Sequence, residues 1–285
     1  MRNLKIGVMA DSFRAGMIGD IKKSIEVGVQ GVQLNGKGKE MTSESFTTAR
    51  KKELLDILKS NGLVISALCC ELGGFAEDIS RNPEKIERTK RVMDLALEME
   101  TKIVTGHIGV VPEDNTISEY KILQDACGTL GSYGEKIGVK FAIETGPEKA
   151  ETLKNFLDTL NSKGLAVNYD PANLVMVVGD DPIKGVYTLK DYIVHTHAKD
   201  GIMLRPSYPE KVYTGTPETY RDEDGNPNFL EVPLGQGKVD FESWISALIG
   251  IGYSGFLTIE REVGEDPESD VRMAVDFLRK IFMKI

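Results

Sequence analysis

Short β-favouring runs recur along this chain, and segments with helical periodicity separate them. In the helical segments, apolar residues fall at positions i, i+3, i+4 and i+7, a spacing that places them on one face of a helix. Two such sets are Val92, Leu95, Ala96 and Met99, and Val271, Ala274, Val275 and Leu278. The β-favouring runs predict eight strands, at Leu4–Met9, Val32–Leu34, Leu63–Leu68, Lys102–His107, Val139–Glu144, Leu165–Tyr169, Tyr192–Ala198 and Phe256–Glu260.

The boundaries of these segments agree with an alternation of strand and helix. Two predicted helices begin with a capping residue followed by proline, at Asn82–Pro83 and Asp266–Pro267. Others end at a glycine shortly before the next strand, as at Gly138 and Gly164. Strands that alternate with helices pair in parallel, and eight such units favour a closed barrel over an open sheet. We therefore predict an α/β fold, a single (β/α)8 TIM-barrel domain over residues 1–285.

One long connection interrupts this pattern after the seventh strand. Residues 199–238 separate that strand from the next predicted helix, whereas connections of about two to six residues are usual. We expect this insert to form a lid or a substrate-specificity loop over the barrel mouth, and the alternative is a surface excursion or a subunit contact. Its aromatic residues are Tyr208, Tyr213, Tyr220 and Phe229.

The composition narrows the range of partners. With a net charge of −9 and a pI near 5.1, the chain offers no electrostatic basis for binding nucleic acid or an anionic membrane. No stretch approaches the roughly 18 apolar residues of a membrane span, and the N-terminus lacks the apolar segment of a signal peptide. The three cysteines make no disulfide framework, and we expect Cys69 and Cys70 to be buried. We therefore expect a cytoplasmic protein without a nucleic-acid or membrane partner.

Four successive predicted strands end on residues that can bind a metal ion, namely Glu144, Asp170, His197 and Glu260. In a TIM barrel the C-terminal ends of all strands open on one face, so these side chains are expected to converge. Three carboxylates and one imidazole suit a hard or borderline divalent cation such as Mn²⁺, Co²⁺, Mg²⁺ or Zn²⁺. The earlier strands bring further polar residues to the same rim, Asp11, Asn35, Glu71 and His107.

Several motifs resemble those of the xylose isomerase-like TIM-barrel superfamily, in its sugar isomerase/epimerase branch. They are the strand ends IET, NYDPAN, HTHAKD and TIERE, the segment TGHIGVVPED, and the C-terminal runs EVPLGQGKVDF and IGYSGFLTIEREVGEDPE. The resemblance covers nearly the whole chain and includes ketose 3-epimerases and inosose isomerases. It implies that Glu144, Asp170, His197 and Glu260 hold one divalent ion, with Mn²⁺ or Co²⁺ favoured over Mg²⁺ or Zn²⁺.

The same resemblance implies a reaction. Glu144 and Glu260, on opposite sides of the substrate, would remove and return a proton next to the carbonyl of a keto sugar or polyol-derived ketone, while the metal stabilises the enediolate. A dehydratase or lyase, for example on 3-keto glycosides, would share the first step and remains an alternative. Two remoter alternatives are an endonuclease IV-like phosphodiesterase, whose additional ligands would fall at Asn173 and Glu231, and a non-catalytic sugar-binding barrel.

Further positions are assigned by the resemblance and by their place on the strands. His107 is expected beside the substrate, Lys199 within reach of a substrate oxygen, and Asn173 where related enzymes often carry a histidine. Glu231 is expected to contact substrate or to support the site. His195 precedes His197 by two residues, so its side chain should lie on the same side of the strand, one layer deeper, and support the metal ligands.

The segment after the eighth strand, REVGEDPE, is mostly acidic, whereas barrel phosphate sites use glycine-rich loops at this position. This favours an uncharged keto sugar or polyol over a phosphorylated one, although Lys199 and Arg205 are available to an anion. We otherwise read Arg205 and Glu262 as surface charges. Homo-oligomers are common in the family that this chain resembles, and the insert is a candidate contact.

Overall fold

Eight parallel strands form a closed barrel at the centre of the computed structural model, which describes residues 4–36, 41, 46–214, 221, 222 and 224–285. Each barrel strand pairs in parallel with the next barrel strand along the chain, and the last barrel strand pairs with the first. The predicted (β/α)8 barrel is therefore confirmed. The barrel strands are β1 (Lys5–Met9), β2 (Gly31–Asn35), β3 (Val64–Cys69), β4 (Ile103–Gly106), β5 (Lys140–Glu144), β6 (Leu165–Tyr169), β7 (Ile193–Ala198) and β10 (Phe256–Ile259).

Helices follow the strands and bury one apolar face each. In the last of them, the residues predicted from helical periodicity, Val271, Ala274, Val275 and Leu278, are all buried. No helix within the described ranges is both long and apolar enough to cross a membrane. The helices are α1 (Gly16–Val27), α2 (Thr48–Ser60), α3 (Asn82–Glu98), α4 (Ser118–Ile137), α5 (Ala150–Leu160), the single turn α6 (Pro171–Asn173), α7 (Pro182–Thr188), α8 (Pro209–Thr214), α9 (Phe241–Gly250) and α10 (Pro267–Lys284).

The helix boundaries follow the sequence signals in some places and not in others. Asp266 caps α10 as predicted, whereas Asn82 lies within the first turn of α3 and its side chain donates a hydrogen bond to an upstream backbone carbonyl. Gly138 ends α4 with φ of 76°. Gly164 does not end α5, because Asn161 takes the left-handed conformation there with φ of 43°. The Gly164 position is instead crowded, since a Cβ would lie 2.0 Å from a backbone oxygen of α4.

The insert after the seventh barrel strand is confirmed, and it contains structure that the sequence did not predict. An antiparallel hairpin pairs β8 (Asp200–Met203) with β9 (Phe229–Val232), and α8 lies between them. Tyr220, one of the predicted aromatic residues of the insert, falls outside the described residues. Because β8 begins two residues after β7 ends, the hairpin is attached directly to the rim that carries His197.

The buried Asp200 carboxylate joins the hairpin to the chain that returns to the barrel. Its two oxygens accept hydrogen bonds from four backbone N–H groups at 2.8–3.1 Å. The N–H groups of Gly201 and Val239 are buried and would otherwise lack a partner. The donors are Gly201, Gly235, Gly237 and Val239.

We expect Asp200→Ala to destabilise the protein by roughly 3 kcal/mol, because two buried and two partly buried hydrogen bonds lose their acceptor at once. Urea unfolding followed by circular dichroism measures the loss. Asp224→Ala, at an exposed aspartate of the same insert, is the matched control and should stay within about 0.5 kcal/mol of wild type. Equal unfolding midpoints for the two variants would contradict the role given to Asp200.

Candidate metal centre and active site

Four residues from neighbouring strands converge at the C-terminal end of the barrel. Glu144 ends β5, Asp170 follows β6, His197 lies in β7, and Glu260 follows β10. Each residue offers one ligand atom, and these four atoms all lie within 4.8 Å of one another. All four residues are buried. The structure thus brings together the four residues that the sequence analysis selected as metal ligands.

The imidazole of His197 lies in the middle of this group. Its Nδ1 is 3.2 Å from Glu260 Oε2, 3.4 Å from Glu144 Oε1 and 3.7 Å from Asp170 Oδ2. Its Nε2 lies 3.0 Å from Oε1 of Gln33, whose amide nitrogen donates to a threonine of β4. This amide orientation makes Gln33 Oε1 the acceptor of the Nε2 proton, which leaves Nδ1 as the nitrogen that faces the carboxylates.

The electrostatics of the group fit a divalent cation. Asp170 Oδ2 is buried and has no hydrogen-bond partner. Burial lowers the pKa of His197, but Glu260 and Glu144 outweigh it, so that its pKa lies well above the ordinary value. The carboxylates therefore draw a proton to the place where a cation would neutralise them. Three oxygen ligands and one nitrogen ligand are a donor set for Mn²⁺, Co²⁺, Mg²⁺ or Zn²⁺.

Neutral side chains hold Glu144 in place. Asn168 donates to its Oε2 at 3.0 Å, and Asn173 donates to its Oε1 at 3.1 Å. His195 lies one layer deeper in the barrel, where its Nδ1 donates to Asn168 Oδ1 at 2.8 Å and its Nε2 accepts from Thr258 at 3.0 Å. Burial lowers the pKa of His195 well below its ordinary value, which keeps the ring neutral. His195 thus orients Glu144 through Asn168, and Asn173 contacts the ligand itself.

A buried cation holds Glu260. Lys199 donates to Glu260 Oε2 at 3.1 Å and also pairs with Glu262. Burial raises the pKa of Glu260, but Lys199 and His197 outweigh it and hold the pKa well below the ordinary value. Lys199, expected to reach a substrate oxygen, is thus already bonded to carboxylates of the protein. Glu262 is exposed, as expected, although it is one of those carboxylates.

Glu231 lies on β9 of the insert and pairs with Arg261, which follows β10. Its Oε1 accepts from Arg261 at 2.7 Å and from the backbone N–H of Glu262 at 3.0 Å, while Lys199 is 3.9 Å from its Oε2. Arg261 also donates to Asp270 at 2.8 Å. Glu231 therefore joins the insert to the segment after β10.

His107 directly follows β4 and lies at the edge of the cluster. Its Nδ1 is 3.1 Å from Glu71 Oε1, and its Nε2 is buried without a hydrogen-bond partner, 3.8 Å from Glu144 Oε1. Burial lowers its pKa, but Glu71 and Glu144 outweigh it and raise the pKa to about 10. These carboxylates therefore favour the protonated form of His107. The other rim residues lie further out, since Asp11 is exposed and hydrogen-bonded to Asn35.

Two residues that the sequence analysis did not select lie near His107. Glu148 is buried, its Oε2 accepts from the backbone N–H of Val111 at 3.0 Å, and its Oε1 has no partner. Tyr213 of α8 packs on His107 with 4.9 Å between ring centroids. Neither residue carries a strong sequence signal, because an acidic residue before a helix and a tyrosine in a long loop are both common at surfaces.

We expect the stability of Glu148→Gln relative to wild type to increase with pH. Burial raises the pKa of Glu148 to about 8 from an ordinary value of 4.5. Between these values the unfolded chain releases the proton and the folded chain retains it, so wild type loses about 1.4 kcal/mol of stability per pH unit. Glutamine has no such loss, so the difference should grow up to about pH 8 and then stay constant.

Chemical denaturation of wild type and Glu148→Gln at several pH values measures this difference. The effects of pH on the other titrating groups are shared by both proteins and cancel. Glu113→Gln, at an exposed glutamate of the loop after β4, is the control and should track wild type. A difference between Glu148→Gln and wild type that does not change with pH would show that Glu148 is not held protonated.

Comparisons with known proteins agree with this geometry. Among curated proteins, an uncharacterized protein of Methanocaldococcus jannaschii is 23% identical over 215 residues, which is 70% of this chain and 64% of the relative. The match thus spans less than two thirds of the length of that relative.

Solved structures align along nearly the whole chain. A xylose isomerase domain protein from Planctomyces limnophilus has a TM-score of 0.80 at 23% identity, covering 100% of this chain and 98% of its own. The probable 3-DHS dehydratase AsbF of Bacillus anthracis has a TM-score of 0.73 at 20% identity, and the alignment covers 96% of this chain and 98% of the dehydratase. A D-tagatose 3-epimerase-like protein has a TM-score of 0.72 at 18% identity, and the alignment covers 98% of this chain and 99% of that protein. At these identities the likeness establishes the fold alone.

The family is established by the sequence itself. The family model described as the xylose isomerase-like TIM barrel matches residues 21–281, which is most of the chain. With its closed eight-stranded barrel and the buried cluster at the C-terminal end of the strands, this chain belongs to the xylose isomerase-like TIM-barrel family.

Proposed function

We propose that this protein is a divalent-metal-dependent isomerase or epimerase that moves a proton at the carbon next to the carbonyl of a keto sugar. The observation that carries the proposal is the pair Glu144 and Glu260, two buried carboxylates that face the same imidazole nitrogen at 3.4 and 3.2 Å. Removal and return of a carbon-bound proton need a base and an acid at one centre. The D-tagatose 3-epimerase-like protein with the same fold supports this class of reaction.

The ion would be held by Glu144, Asp170, His197 and Glu260, and Mn²⁺ or Co²⁺ suits this mixture of oxygen and nitrogen donors. When bound, a divalent ion supplies Lewis-acid stabilisation of the negative charge that develops on the substrate oxygen. Gln33 fixes the tautomer of His197, and Asn173 and Asn168 fix the orientation of Glu144. The ligand set is therefore oriented by the protein before substrate arrives.

The two glutamates differ in their surroundings, and this difference suits them to different steps. Lys199 and His197 favour the ionised form of Glu260, which is the form that accepts a carbon-bound proton. Glu144 is held by two uncharged amides and lies 3.8 Å from the His107 cation. We assign Glu260 and Glu144 as the two proton carriers, and the configuration of the substrate decides which of them acts first.

The charges around the cluster favour an uncharged substrate. Two buried cations beside it are already paired, Lys199 with Glu260 and Glu262, and Arg261 with Glu231 and Asp270. The protonated His107 at its edge faces Glu71 and Glu144. A phosphate or carboxylate group would have to compete with these carboxylates, and it would be repelled by them. Arg205, the other cation considered for an anionic substrate, is exposed and pairs with Asp222. We therefore propose a neutral keto sugar or polyol-derived ketone.

A dehydratase or lyase is the second candidate. It would use the same first proton transfer and then expel a neighbouring oxygen instead of returning the proton. His107 favours this candidate, because its protonated ring with an unpaired Nε2 can donate a proton to a leaving oxygen. The probable 3-DHS dehydratase has the same fold. Product analysis separates the two candidates, since elimination releases water or an alcohol and isomerisation conserves the molecular mass.

The phosphodiesterase alternative finds less support in the structure. It would require Asn173 and Glu231 to serve as additional metal ligands. The Asn173 amide donates to Glu144, and Glu231 pairs with Arg261, so both side chains are already used within the protein.

We expect about one divalent ion per chain in the wild-type protein after reconstitution, and weaker binding in Glu260→Gln. With a keto sugar in D₂O, wild type should exchange the proton next to the carbonyl, and Glu260→Gln should do so about 10²–10⁴ times more slowly. Elemental analysis and proton NMR measure the two quantities.

Glu265→Gln is the matched control, because Glu265 is an exposed glutamate of the same loop after β10. It should bind metal and exchange the substrate proton as wild type does. Three zinc ions per chain would instead support the phosphodiesterase. Failure of the wild-type protein to bind any divalent ion would refute the proposed function.

A further inference from the structure

We propose that Tyr213 of the insert forms the roof of the substrate cavity, where its hydroxyl binds a substrate oxygen and its ring keeps water away from the reacting carbon. The inference rests on the proposed proton transfer at Glu144 and Glu260. It gives the insert a part in the reaction, and it assigns that part to one side chain.

The position of Tyr213 is the first support. Its ring packs against that of His107 at 4.9 Å between centroids, with an angle of 45° between the planes. His107 Nε2 is in turn 3.8 Å from Glu144 Oε1. Tyr208, on the same insert, is 69% exposed. The insert therefore directs one of these two tyrosines into the barrel mouth and the other into solvent.

The barrel leaves a space for the Tyr213 hydroxyl. A Cβ atom at Gly146 would lie only 2.4 Å from Tyr213 Oη and 2.4 Å from Cβ of Asn173. The hydroxyl thus lies against the backbone two residues after Glu144, beside the asparagine that donates to Glu144 at 3.1 Å. Any larger residue at position 146 would displace the tyrosine, and φ of 135° at this position also favours glycine.

The surroundings of Tyr213 keep its hydroxyl protonated. Burial raises its pKa well above the ordinary value, and Glu144 and Asp170 raise it further. A phenol that stays protonated remains a hydrogen-bond donor throughout the working range of pH. A substrate oxygen that lies between the metal ligands and the insert is the kind of acceptor that this donor would meet.

The cluster beneath Tyr213 is closed to solvent. Glu144, Asp170, His197 and Glu260 are at most 6% exposed, and the unpaired atoms Asp170 Oδ2 and His107 Nε2 are both buried. The carbon-bound proton passes to a glutamate oxygen, the C–H bonding pair forms the C=C bond of the enediolate, and the carbonyl π pair moves onto the carbonyl oxygen. When most water is excluded, that proton returns to carbon more often than it exchanges with solvent, so exchange per turnover is partial in wild type and rises when the site is opened.

Two substitutions separate the hydroxyl from the ring. Tyr213→Phe removes the hydroxyl alone, and we expect kcat/KM for the keto sugar to fall about tenfold, as for the loss of one hydrogen bond to substrate. Tyr213→Ala removes the roof, and we expect a fall of about a hundredfold or more. It should also increase severalfold the deuterium in recovered substrate per molecule of product formed in D₂O. A purely structural role for the ring would not change this ratio.

Tyr208→Ala is the matched control and should leave both kinetic quantities unchanged. A second measurement needs no substrate. Water-proton relaxation by Mn²⁺ bound to the protein should increase in Tyr213→Ala and stay at the wild-type level in Tyr208→Ala, because removing the roof admits water to the cluster. Metal content, measured for every variant, shows that the site is still assembled.

The two measurements distinguish the failure of this inference from the failure of the proposed function. If wild type neither converts a keto sugar nor exchanges its proton, but Tyr213→Ala still increases the relaxation, the shielding role of Tyr213 stands and the proposed reaction is wrong. If Tyr213→Ala matches wild type in kcat/KM, in the deuterium ratio and in relaxation, the role given to Tyr213 is wrong, and the proposed reaction is unaffected.

Discussion

The crowding of three carboxylates around one buried imidazole is the constraint on which the rest of the site depends. Glu144, Asp170 and Glu260 approach His197 Nδ1 to 3.2–3.7 Å in a region closed to solvent. Like charges at such distances repel strongly when water does not screen them. The surrounding donors offset part of this cost, and a divalent cation would offset the remainder. Metal binding and the stability of this end of the barrel are therefore expected to be linked.

The protein compensates these carboxylates unequally, and this inequality gives the site a direction. Glu260 has a full positive charge beside it in Lys199, whereas Glu144 has two amides and the more distant His107. Two carboxylates with different environments are a common arrangement for assigning acid and base roles. Lys199 favours ionised Glu260 and is itself paired by Glu260 and Glu262, which is the basis for proposing an uncharged substrate.

The insert is integrated into the site through buried polar contacts. Asp200 fixes its base, Glu231 pairs with Arg261 beyond the last barrel strand, and Tyr213 reaches His107. Loops normally lie on the surface, because their backbone groups need partners. Here the loop supplies charged and aromatic groups that complete the mouth of the barrel. The sequence analysis expected the insert to contribute to substrate specificity, and we propose this role for Tyr213, whose ring packs on His107.

The sequence by itself determined the barrel and its four candidate ligands, because strand and helix periodicity specify the topology and a parallel barrel places all C-terminal strand ends on one face. Only the tertiary structure decided what surrounds those ligands. His197 meets Gln33, 164 residues away, and Lys199 meets Glu260, 61 residues away. Such pairings depend on barrel closure and strand register, which no local pattern specifies. The same reason explains why Lys199 and Glu231 were expected near substrate but are paired within the protein, and why Tyr213 was not selected.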